Sequence, residues 1–126
     1  MESSRNQKTA GWILAALIVA MFCFSAAGKI LKVPDMLPML EHFGYISQTM
    51  FYIGFVEIAC AILFAMPKQY LSFVGSILLT AYLGGATSTH VRIGEAFFIP
   101  IIMGILVWVS YGLRNAHILK KIFTKK

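Results

Sequence analysis

From Ala10 to Gly28 the chain reads AGWILAALIVAMFCFSAAG, without one charged side chain and long enough to cross the hydrocarbon of a bilayer as a helix. Three further stretches of the same kind follow. A second span at about 48–66 contains MFYIGFVEIACAILFAM and is interrupted only by Glu57. A third, at about 70–91, reads YLSFVGSILLTAYLGGATSTHV, and a fourth, at about 96–113, reads AFFIPIIMGILVWVSYGL. Pro67 and Lys68 form the turn between the second and third, and Arg92 to Glu95 the turn between the third and fourth. In hydrocarbon every backbone N–H and C=O must find its partner within the protein, which favours helices over open strands. The expected fold is therefore an all-α membrane protein, a four-helix transmembrane bundle forming a single domain over residues 1–126, with 114–126 as a basic cytoplasmic tail.

Composition points to the same solvent. The chain is 59% hydrophobic and 13% charged, against roughly 25% charged in an ordinary soluble domain. The lipid bilayer is thus the first expected partner. A formal net charge of +6 could suggest nucleic acid, but the basic residues sit at the ends of apolar stretches and form no stripe with interleaved aromatics, so no nucleic-acid partner is expected. Arg5 and Lys8 ahead of the first span, with Ser25 and Ala27 behind it, would also suit a cleaved leader, although the apolar stretch exceeds the usual signal core.

Orientation follows from the flanking charges. Arg5, Lys8, Lys68, Arg114, Lys120, Lys121, Lys125 and Lys126 collect on one side, and Lys29, Lys32 and Arg92 on the other, an eight-to-three split that places both termini in the cytoplasm. The long connection from Lys29 to about Thr49 begins between Pro34 and Pro38 and carries Met36, Leu37, Met39, Leu40 and Phe43. That pattern fits a short amphipathic segment on the outer membrane surface.

Small residues mark the expected helix contacts, because lipid gives apolar helices no hydrophobic reason to associate. They are Ala16, Ala20, Cys23 and Ala27 in span one, and Ser72, Ser76, Thr80, Gly84 and Ser88 in span three. The latter stripe is either packing glue or the polar lining of a cavity. Glu57 is the most informative residue, since a charge at mid-membrane costs about 2.5–3.5 kcal/mol on insertion scales. Gly54 and Ala61 share its face, and a bond to the Ser76/Thr80 face of span three would satisfy it structurally. The functional alternative is a carboxyl group that handles protons or touches a ligand. Lys29, His90 and Arg92, with Glu95, Glu41 and His42 nearby, gather at the outer end as interfacial anchors or as a site for a polar head group. Glu57, Lys29, His90, Arg92 and Thr80 are the ligand-binding candidates. No metal is expected, because His42 and His90 lack ligand spacing, and the offset of Cys23 from Cys60 disfavours a disulfide. No Walker, GxGxxG, GxSxG or HExxH pattern occurs, so no catalytic residue is assigned and a self-contained enzyme is not expected.

FSAAGKILKVPDM, GFVEIACAILF and LGGATSTHVRIGEAFFIPIIMGILVW resemble the DoxX-like membrane proteins of bacteria, with similarity from about Trp12 to Trp108. Gly28–Lys29, Glu57 and Ala86-x-x-x-His90-x-Arg92 are its most specific parts. The resemblance implies a multi-pass protein of the bacterial inner membrane. Relatives in the wider group include a subunit of a thiosulfate:quinone oxidoreductase, which implies a small redox-associated subunit binding a quinone-like or lipid-like molecule, with a redox partner subunit. Quinone is the one cofactor so implied. The alternative is a non-catalytic membrane scaffold or small transporter, and either could be a homo-oligomer.

Overall fold

The computed structural model describes residues 4–32, 34, 35 and 37–124, without the side chains of residues 37, 40 and 47. Met36, Lys125 and Lys126 therefore lie outside the described residues, as do the side chains of Leu37 and Leu40. Six helices and no strand occur among those described: α1 (Arg5–Ile30), α2 (Leu37–His42), α3 (Ser47–Ala65), α4 (Gln69–Arg92), α5 (Phe98–Arg114) and α6 (Ala116–Thr124). Three of them, α1, α3 and α4, are long and apolar enough to cross a membrane. The α5–α6 pair passes the same test only together, and is bent by 96° at its break.

Local signals set the boundaries. Ser4 and Gln7 form a reciprocal capping box that satisfies orphan N–H groups at the start of α1. Pro67 cannot continue α3, which ends at Ala65. Asn115 stops α5: its side-chain amide donates to the Tyr111 carbonyl at 3.0 Å, and the chain turns there into α6. The α6 segment alternates Ile118, Leu119, Ile122 and Phe123 with His117, Lys120 and Lys121, the amphipathic pattern of a helix lying on a membrane surface.

Each of α1 and α4 packs against both α3 and α5, so the four long helices close a ring of antiparallel neighbours. The N-terminus of α1 and the C-terminus of α5 share one end of this ring, called here the terminal end. There the Ser110 hydroxyl donates to the Gly11 carbonyl at 2.8 Å. The loop carrying α2 covers the opposite end, tied down by Tyr45 to Thr89 at 3.0 Å. Ala15, Ile18, Phe22, Ala61, Phe64, Leu79, Leu83, Met103 and Val107 fill the centre. α3 and α4 approach closely: a Cβ on Gly75 would run into the Phe64 backbone. The Ser72 hydroxyl donates to the Phe64 carbonyl at 2.8 Å across the same seam.

Two packing faces differ from the sequence expectation. In α1 the buried set is Gly11, Ala15, Ile18, Phe22, Ala26, Gly28 and Lys29, while Ala16, Ala20, Cys23 and Ala27 face outward. Small residues occur all round this helix, so their spacing alone does not choose a side. In α4 the stripe holds at Ser72 and Ser76, then gives way to Leu79 and Leu83, leaving Thr80, Gly84 and Ser88 exposed. A spacing of four overshoots the 3.6-residue turn by about 40° at each step and drifts off the buried face.

A buried lysine–glutamate pair as candidate functional site

Glu57 lies in the middle of α3 with 2% of its surface exposed. Its partner is Lys29: the ammonium Nζ stands 2.7 Å from Oε2. The same nitrogen donates to the Ser25 hydroxyl at 2.7 Å and to the Tyr82 hydroxyl at 3.0 Å. Three donors thus meet three acceptors from α1, α3 and α4, which is the condition under which a buried charge is tolerable.

The lysine reaches this position because side chains on a helix lean toward its N-terminus. From the last turn of α1, Lys29 therefore points back into the bundle, alongside Ser25 one turn earlier. Gly54 brings α3 close enough: a Cβ there would fall 2.7 Å from Ile30 and 3.1 Å from the Ala26 carbonyl. The helix that Gly54 and Glu57 face is thus α1, where the sequence reading placed the Ser76/Thr80 face of α4. The Ser76 and Thr80 hydroxyls instead donate to carbonyls one turn back in their own helix, at 2.8 and 2.7 Å.

Two clefts flank the pair. One, of about 320 Å³, is lined by Lys29, Tyr45, Met50, Tyr82, Thr89 and His90 among others. The other, of about 200 Å³, includes Ser25, Glu57, Tyr82, His90 and Met103. Tyr82, Ala86 and His90 follow one another at helical spacing and border both. His90 Nδ1 lies 2.8 Å from the Ala86 carbonyl, which can only accept, so Nδ1–H donates there and Nε2 is turned away from that bond.

Lys29 does not converge with Arg92. The Arg92 guanidinium donates instead to the Phe43 carbonyl, just before Gly44, whose φ of +81° turns the chain. Glu95 pairs with His42 at 3.1 Å on the exposed rim. Phe43 also packs on the His90 ring at 5.2 Å, so the α2 loop forms a cover over the larger cleft, held by Arg92. Thr80 lies on the far side of α4 from Tyr82, accepting from Trp108 Nε1 at 2.8 Å. Among the described residues no three His, Cys, Asp or Glu side chains group as metal ligands.

Sequence reasoning missed Ser25, Tyr82 and Tyr45. Tyr82 was detectable, since it precedes His90 by eight residues on one helical face. It also missed the role of Arg114, counted among the flanking charges. Arg114 is 7% exposed, and its guanidinium lies 4.7 and 4.6 Å from the Trp12 and Phe64 rings. It donates to the Phe64 carbonyl at 3.2 Å, a second donor beside Ser72 for this acceptor at the end of α3, while its Nη2 has no hydrogen-bond partner among the described residues.

Apolar membrane-crossing helices around a buried ion pair, open to apolar clefts, define a small integral membrane protein with an intramembrane polar centre. The chain belongs to the DoxX-like family, whose model matches residues 13–110. No curated protein and no solved structure matches it.

Proposed function

We propose that this protein is a redox-associated subunit of a bacterial inner membrane that binds a quinone-like or lipid-like molecule beside the Lys29–Glu57–Tyr82 centre. The observation that carries this reading is an intramembrane ion pair bordered by apolar clefts, because ionisable residues at such depth are retained mainly for function. In this reading α5 crosses the membrane as the fourth span, and both termini face the cytoplasm. Glu57 neutralises Lys29, so the centre favours a neutral carbonyl-bearing head group over a second anion. Tyr82 would orient that carbonyl, His90 beside it would hydrogen-bond the head group, and Met50, Ile53 and Val56 would exclude water. A bound quinone would supply the electron-accepting chemistry, and a partner subunit the electrons.

The test is calorimetric titration of the purified protein with a short-chain ubiquinone analogue. Saturable one-to-one binding, weakened tenfold or more by Tyr82→Phe or Glu57→Gln, is expected. No binding by the folded wild type, or binding indifferent to both changes, would refute it. The complete pairing of Lys29 inside the chain favours one other reading, a scaffold whose ion pair only fixes packing, and absence of binding would support that. A reporter active only outside the cytoplasm, silent after Lys126 and active within 32–42, checks the orientation.

A further inference from the structure

A second feature lies on the opposite side of α4 and does not depend on the reading above. A groove of about 860 Å³ runs along the outward seam of α4 and α5, past Thr80, Gly84, Gly104 and Trp108, to Gly112 and Leu119. From Pro100 to Gly112 its length is about 18 Å at 1.5 Å per residue. That matches the roughly 15 Å of hydrocarbon in one leaflet, half of a 30 Å core. At its terminal end α6 turns across under the groove, and a Cβ on Gly112 would meet Leu119 at 2.6 Å. Lys120 and Lys121 follow Leu119 directly and are exposed.

Charge at this end is one-sided. Arg5, Lys8, Lys68, Arg114, Lys120 and Lys121 collect here. The described acids lie elsewhere: Asp35, Glu41 and Glu95 at the α2 end, and Glu57 in the buried pair. Basic residues at the edge of an apolar surface attract acidic lipid head groups. We propose that the groove holds one acyl chain of an anionic phospholipid, whose phosphate rests on Lys120 and Lys121 of α6. The groove takes the apolar chain, the amphipathic helix marks the depth of the head group, and the lysines select its charge.

Gly84 permits a clean test, because a Cβ there meets nothing within 4 Å, so a larger side chain fills the groove without disturbing the protein. The full chain, delipidated in detergent, is titrated with phosphatidylglycerol or phosphatidylcholine and read by native mass spectrometry. One phosphatidylglycerol should bind per chain, at least tenfold tighter than phosphatidylcholine. Lys120→Gln with Lys121→Gln should abolish the preference, a loss of about 25-fold at about fivefold per lysine. Gly84→Phe should remove both lipids while the helical circular dichroism is unchanged; Gly104→Leu serves if that variant does not fold. Equal affinity for the two lipids would overturn the proposal, leaving ordinary boundary lipid. Retention of phosphatidylglycerol by the filled groove would overturn it too. So would a shift from dimer to monomer in Gly84→Phe with lipid binding intact, since the groove would then seat a second copy.

Discussion

Replacing Lys29 by methionine should be the most damaging single change at the polar centre. At 2.7 Å and an effective dielectric of 20, the Lys29–Glu57 attraction is about 6 kcal/mol. Desolvation of the two ions offsets most of that, so the net contribution of the pair is small. Removing one member does not return the system to zero, because Glu57 remains 2% exposed with its cationic partner gone. The expected cost of Lys29→Met is about 3–5 kcal/mol, whereas Lys29→Met combined with Glu57→Leu should recover most of it. Unfolding by sodium dodecyl sulfate in mixed micelles, followed by circular dichroism, measures all four corners of this cycle. The reasoning fails if the single change costs under about 1 kcal/mol, as membrane hydrogen bonds often do. It fails equally if the double change is as damaging as the sum of its parts.

Other substitutions probe the seams. Gly75→Ala puts a methyl group into the Phe64 backbone and should cost about 1–3 kcal/mol or more, whereas Gly84→Ala should be neutral or mildly stabilising; thermal unfolding in detergent compares them. Arg114→Lys keeps the charge but loses the planar stack between Trp12 and Phe64, and should cost about 2 kcal/mol in the same micelle titration. Arg92→Ala should alter global stability by under about 1 kcal/mol yet speed hydrogen exchange across 37–45, because it frees the Phe43 carbonyl that anchors the α2 cover.

Much of the architecture was legible in the sequence because lipid imposes one rule on every spanning segment. The observed bounds of α1, α3, α4 and α5 fall within a few residues of the apolar runs, apart from the polar first turn of α1. Glu57 was legible for the same reason, as a charge in the wrong solvent. Its partner was not, because Lys29 sits at a helix end where pointing outward to the interface and pointing inward are equally consistent with sequence. Only the close approach at Gly54 decides between them. Arg114 was hidden likewise: one more basic residue after an apolar run looks like a flanking charge until the end of α3 is seen beneath it. Packing faces were read poorly in α1, whose alanines occupy every side.

The placement of the ion pair has a consequence for biogenesis. Lys29 ends α1 and Glu57 sits in α3, the next long helix along the chain, so the cation precedes the carboxylate in order of synthesis. Glu57 alone at mid-membrane would meet an insertion penalty of about 2.5–3.5 kcal/mol, yet α1 and α3 entering together present it already paired with Lys29. Nascent chains ending before α3 carry an uncompensated lysine and have reason to slip back toward the interface. Chains reaching Ala65 do not. A pair that joins α1 to α3 would on this ground favour their entry as one hairpin, ahead of α4 and α5.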